Sequence, residues 1–347
     1  MLSVAYCICF LVVFSNAFRI RTSQESYEKI PLTNADNTLN TATVFIGTPQ
    51  EQFSMALDIS FNNMWVPVKN SNVSGVAVFV NSTSSTFKAN GTVFSYEYPG
   101  NEIVKGVVCE DNVQLGNIKF TKFGFGAIQT VPKTKPQVDG LIGFGYPGYS
   151  VDGLPSLLNV AVSKHSLQPV FSLYLNSQKN GALYLGGENP SLRSGSFSYV
   201  SAIENTNAQW QIHINNLHLG FYSSYSTTQN GHLSTTVRGI YGPKNQVHVI
   251  YQYLCDKIVN GQTCYVACER VVKLNHFIIT VGTHNVSIPA TSYVLPATSP
   301  SDPIPICEVA IYINPTSSNW ILGNSFLQSQ YVLFDWEKKR VGFANKA

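Results

Sequence analysis

The chain has 347 residues, enough for two ordinary domains or for two lobes sharing one cleft. Charged residues are 12%, against a usual share of about 25%, but 44% are apolar, so the chain is globular and not disordered. A net charge of +3 without a long Lys/Arg run excludes the electrostatic footprint of a nucleic-acid binder and a polybasic membrane patch.

Residues 5–14 are apolar and are followed by Ser15, Asn16 and Ala17, small residues at cleavage-site positions. This predicts a signal peptide over 1–17, whose apolar run is too short to span a bilayer. A short leader over 18–37 follows, and no lipid-anchor tail is expected at the other end. The expectation is a secreted, soluble protein, extracellular or lumenal/lysosomal. Four sequons at Asn72, Asn81, Asn90 and Asn285 fit a glycoprotein on that route. Loss of Cys7 and Cys9 with the signal leaves Cys109, Cys255, Cys264, Cys268 and Cys307. An oxidising compartment favours disulfides over metal sites, and one cysteine, expected to be Cys109, is left over. No metal site is expected, because Cys264 and Cys268 have no His/Cys partners at zinc spacing.

Short β-branched and aromatic runs bounded by Gly, Asn, Ser and Pro predict strands over 181–187, 196–200, 276–281 and 330–335. Helices are expected only over 154–164 and roughly 246–259. An internal echo joins the two halves. Asp58 is followed 85 positions later by Gly143 in Leu141-Ile-Gly143, and Ser234 is followed 89 positions later by Gly323 in Ile321-Leu-Gly323. Two units of a turn followed by an apolar-apolar-Gly strand suggest duplicated lobes.

Ile46-Gly-Thr-Pro49, Asp58, Trp65-Val-Pro67 and Val138-Asp-Gly-Leu-Ile-Gly-Phe-Gly-Tyr-Pro147 resemble the N-terminal lobe of the pepsin-like aspartic proteases. Leu185-Gly-Gly187, Trp210-Gln-Ile212, Trp320-Ile-Leu-Gly323 and the ending from Val332 to Phe343 resemble the C-terminal lobe. The resemblance runs in order from about residue 38 to the end. It implies an all-β, bilobal fold with lobes over 38–178 and 179–347 around a central cleft. It further implies a peptide or protein ligand, a monomer, and no cofactor, nucleic acid or membrane anchor. Cys268 and Cys307 match the family's C-lobe disulfide, and Cys255 and Cys264 then close a short local loop. Tyr98 resembles the tyrosine of the hairpin flap over the cleft, which Trp65 and Phe61 are expected to help line.

The family's chemistry needs two Asp-Thr/Ser-Gly turns, whose carboxylates share a proton and activate a water. Asp58 matches the first aspartate. Its turn, however, reads Ile59-Ser60-Phe61, without the bracing hydroxyl, the glycine or the small residue. Placing Gly242-Pro243 on the family's Gly-Pro puts Ser234 at the second aspartate, and residues 205–255 contain no Asp or Glu. The expectation is a pseudoprotease that binds an extended peptide or protein partner in its cleft. The alternative is an active aspartic-type endopeptidase with an atypical dyad built on Asp58. A third class is a scaffold that binds through its outer surfaces. Two neighbours bear on the choice. His232, two before Ser234 on a strand, shares its face. Arg238, four after it, is either a partner for a carboxylate near the dyad or a surface arginine.

Overall fold

The computed structural model describes residues 27–34, 39–98, 102–132, 138–176, 180–220, 222–224, 229–296, 305–315 and 317–347. The expected signal peptide and the first part of the leader lie outside the described residues, as does the side chain of Tyr98.

Strands dominate. Six of them form a sheet between the lobes, in the order Arg193–Ser201, Arg340–Lys346, Tyr331–Asp335, Val170–Tyr174, Asn180–Leu185 and Glu28–Thr33. Glu28–Thr33 belongs to the segment expected to be a leader, yet it pairs along its whole length with Asn180–Leu185. The same sheet continues through Thr41–Ile46 into the N-terminal lobe, where pairing of Thr41–Ile46 with Glu102–Leu115 curls it back on itself. The C-terminal lobe carries a five-stranded, a four-stranded and a three-stranded sheet.

Burial follows the two-residue period of a pleated strand. In Thr41–Ile46 the side chains of Ala42, Val44 and Ile46 point inward and their neighbours point out. Glu51–Asp58 starts with that alternation and ends in four consecutive buried residues, Met55 to Asp58. Its end is covered on both faces, so it delivers Asp58 into the interior rather than to the surface. A second apolar cluster, containing Phe61, Trp65, Phe94, Val108, Ile128 and Leu141, lies beside that end.

The two longest helices differ in extent from expectation. Leu157–His165 begins after Ser156, whose hydroxyl accepts the Asn159 N–H at 3.1 Å, an N-cap that sets the start. Lys244–Leu254 stops short of 259. Asn260 and Gly261, both at positive φ, instead form the tight turn of a hairpin between Lys257–Val259 and Thr263–Ala267. The Cys255–Cys264 disulfide ties the helix end to that hairpin, and Cys268–Cys307 joins its far end to the strand Ile306–Val309. Cys109 is a buried free thiol.

The lobes are joined by buried hydrogen bonds as well as by the sheet. Trp210 Nε1 donates to Phe144 O at 3.0 Å, and Trp336 Nε1 donates to Gly145 O at 3.1 Å. Asn40 Nδ2 donates to Asn324 Oδ1 at 3.1 Å.

Candidate functional site

The echo in the sequence is a structural repeat. Glu51–Asp58 runs parallel to Leu141–Gly143 with Asp58 opposite Gly143. Gln229–Leu233 runs parallel to Trp320–Leu322 with Leu233 opposite Leu322, and the Ser234 N–H continues the ladder to Leu322 O at 3.1 Å. Ser234 therefore stands opposite Gly323 as Asp58 stands opposite Gly143. The glycines serve the same purpose. A Cβ on Gly143 would lie 2.4 Å from Phe61 O, and one on Gly323 would lie 2.5 Å from Val237 O. Only glycine lets each turn fold back onto its strand.

The two turns hold their leading side chains alike. The Ser60 N–H donates to Asp58 Oδ1 at 2.6 Å, and the Thr236 N–H donates to Ser234 Oγ at 3.3 Å. Asp58 is 1% exposed and Ser234 is 3% exposed. Ser234 Oγ is also 3.1 Å from Thr236 Oγ1.

Thr235 links the two turns. Thr235 Oγ1 donates to Leu57 O at 2.6 Å and accepts the Ile59 N–H at 3.3 Å. Asn324 Nδ2, on the short helix after Gly323, donates to Thr235 O at 3.2 Å. By the repeat, Ile59 is the counterpart of Thr235 and has no hydroxyl to return the pair of bonds. Sequence reasoning saw the missing hydroxyl at Ile59 and overlooked the one retained at Thr235. The signal was there, since Thr235 directly follows the position matched to the second aspartate.

Phe61 and Trp65, expected on the cleft wall, are 0% and 4% exposed and belong to the apolar cluster of the N-terminal lobe. Phe61 is held there by Tyr96, whose ring centroid is 4.1 Å away, and by Phe94 at 6.5 Å. Tyr96 in turn packs on Tyr149 at 6.1 Å. Burial and then the nearby Asp58 charge hold the Tyr96 hydroxyl well above its ordinary pKa. So Tyr96, on the hairpin strand Lys88–Tyr98, packs on Phe61 of the Asp58 turn.

The facing side of the C-terminal lobe is more open. Cross-strand register places Gln211, His232, Ile321, Tyr241 and Tyr312 in one row on one face of the five-stranded sheet. All five are half-buried, whereas Ile212, Leu233, Leu322, Ile240 and Ile311 on the other face are fully buried. Ser234 follows on the open face two residues after His232. The Tyr241 and Tyr312 rings lie 5.0 Å apart, and the Tyr312 hydroxyl donates to Glu308 Oε1 at 2.8 Å. Burial lowers the His232 pKa to about 4, so the ring is neutral in all but strongly acidic solution.

Arg238 makes no ion pair among the described residues and lines a cavity beside the Cys268–Cys307 disulfide. Of the sequons, Asn72, Asn90 and Asn285 are exposed and Asn81 is half-buried. Asn72 is also tied down, donating to Val131 O at 2.9 Å and accepting the Val131 N–H at 2.8 Å. Among the described residues no three His, Cys, Asp or Glu side chains gather to hold a metal ion, and no helix is long and apolar enough to cross a membrane.

A family model described as eukaryotic aspartyl protease matches residues 40–346. Cathepsin D of Clupea harengus is 30% identical over 318 residues, covering 86% of this chain and 79% of that protein. Renin-2 of Mus musculus is 30% identical over 334 residues, covering 91% and 81%. Cathepsin D of Rattus norvegicus is 30% identical over 327 residues, covering 87% and 79%.

Proposed function

The chain belongs to the eukaryotic aspartyl protease family, and from that premise we propose that it is a secreted, glycosylated member that binds a peptide or protein segment without cleaving it. The observation that carries this reading is the buried Ser234 in the place that mirrors Asp58. Two-carboxylate hydrolysis needs one group to hold a proton while its partner withdraws one from water. A serine hydroxyl does neither at any working pH of the family's chemistry. Asp58 then keeps a turn-capping bond to Ser60 N–H and loses its acid–base partner.

The half-open row from Gln211 to Tyr312 supports binding in the cleft. An extended peptide would lay its side chains against this wall and pair its backbone as an added strand. A second reading, binding through an outer surface, is favoured by one observation: Phe61 is buried against Tyr96 in the N-lobe cluster and offers no ring to a cleft ligand. The deciding experiment has two parts. The purified protein and Asp58→Asn are incubated with a denatured protein substrate from pH 2 to 7, with no cleavage expected from either. Tyr241→Ala is then compared with wild type for capture from a displayed peptide library. Loss of capture supports the cleft, and unchanged capture moves the site to an outer surface. Cleavage that disappears in Asp58→Asn sinks the inactive reading.

A further inference from the structure

Arg238 leaves the Ser234 turn on a backbone held from the next strand connection: its carbonyl accepts the Ser325 N–H at 2.9 Å and Ser325 Oγ at 3.1 Å. The residue is half-buried and lines a cavity of about 440 Å³. This volume lies within the roughly 300–1,000 Å³ of small-molecule sites. Ser292 and Gln328 add polar groups, Val271, Leu295 and Pro296 add apolar wall, and the Cys268–Cys307 disulfide makes the wall rigid. No described Asp or Glu lines the cavity. Glu308, the acid next to Cys307 in the chain, is engaged by the Tyr312 hydroxyl. A guanidinium is a permanent cation. A cation drawn partly out of water is costly, and an anion delivered to it recovers that cost.

We propose that this cavity binds a carboxylate carried on a compact apolar body, with Arg238 taking the two oxygens in its planar fork and the apolar wall taking the body. The planar fork matches a carboxylate in a bidentate pair. A single cation among apolar walls suits a monoanion better than a phosphate, which gains most from several cations at once. None of Asp58, Ser234 and Thr235 lines the cavity, although Asn324, which donates to Thr235 O, does, so the inference stands whether or not the cleft is catalytic.

The test is calorimetric titration of the full chain, disulfides intact, with 3-phenylpropanoate and with a short peptide ending in a free C-terminal Phe. 3-Phenylpropanamide and inorganic phosphate are the controls. Wild type is expected to bind at least one acid and not the amide, and whichever acid binds identifies the source as a free acid or a chain terminus. Arg238→Gln is expected to weaken binding about tenfold or more. Thr291→Trp fills the cavity mouth from an exposed position and serves as a second variant if Arg238→Gln does not fold; it too is expected to abolish binding. Silence of wild type toward both acids at about 1 mM, binding untouched by either variant, or phosphate binding as tight as the acids would each overturn the proposal.

Discussion

The turns after Leu57 and after Leu233 stand in equivalent places and have kept opposite halves of one device. The N-lobe turn keeps the acid, Asp58, and has Ile59 where a bracing hydroxyl would stand and Phe61 where a small residue would stand. The C-lobe turn keeps the bracing hydroxyl, Thr235, and has Ser234 in place of the acid. What survives on each side is what folding uses. The Thr235 hydroxyl serves a buried carbonyl and a buried amide, groups that are expensive to leave unpaired. Two buried carboxylates side by side cost stability through desolvation and repulsion. Replacing one by serine removes that cost, and Ile59 and Phe61 convert polar turn positions into apolar core.

The comparison breaks most easily at its catalytic claim. Ser234→Asp is expected to restore the pair and raise acid-pH cleavage of a denatured substrate by on the order of 10²-fold or more. Adding Asp58→Asn should abolish that gain. Wild type cleaving as fast as Ser234→Asp would mean that Asp58 needs no carboxylate opposite it. Next in size is packing. Phe61→Ala is expected to cost about 3–5 kcal/mol in denaturant unfolding, as a fully buried ring lost from a cluster. Its counterpart Val237→Ala, at a half-buried position, should cost only about 1 kcal/mol. Equal losses would show that the two turns are packed alike.

The brace gives a smaller contrast. Thr235→Val should destabilise by about 1–3 kcal/mol, because Leu57 O and the Ile59 N–H lose their partner. Ile59→Val should cost about 0.5–1.5 kcal/mol, a single methylene. The last contrast is in pH dependence. His232 has its pKa lowered to about 4 from 6.5, so between those values the unfolded chain binds a proton that the folded chain refuses. Stability therefore falls as pH drops from about 6.5 to about 4 and levels off below. The equivalent N-lobe position, two before Asp58, is Ala56, which carries no such term. His232→Phe should flatten the melting temperature across this window, and an unchanged slope would place the titration elsewhere.

The bilobal β architecture was legible because its signals are local and repeated. Short β-branched runs between glycines mark strands, and the apolar-apolar-Gly echoes after Asp58 and Ser234 mark the two lobes. That residues 205–255 carry no Asp or Glu was equally legible, since a missing residue type over fifty positions needs no coordinates. The brace, the flap contact and the cleft walls were not. Tyr96 and Tyr98 lie two residues apart in the sequence, and only packing shows that Tyr96 meets Phe61 and the charge of Asp58. Phe61 reads equally well as a cleft ring or a core ring until its neighbours Phe94 and Tyr96 are known.

By itself the sequence determined the family, the strand-rich architecture and the absence of an acid at Ser234, because composition, motif order and strand period are carried along the chain. Only the tertiary structure decided that Thr235 reaches across to Leu57 and Ile59, 178 and 176 positions away. It also decided that Arg238 lines a cavity beside the Cys268–Cys307 disulfide. Those outcomes depend on where strands from two lobes meet, and burial and pairing over such separations leave no periodic trace in the order of residues.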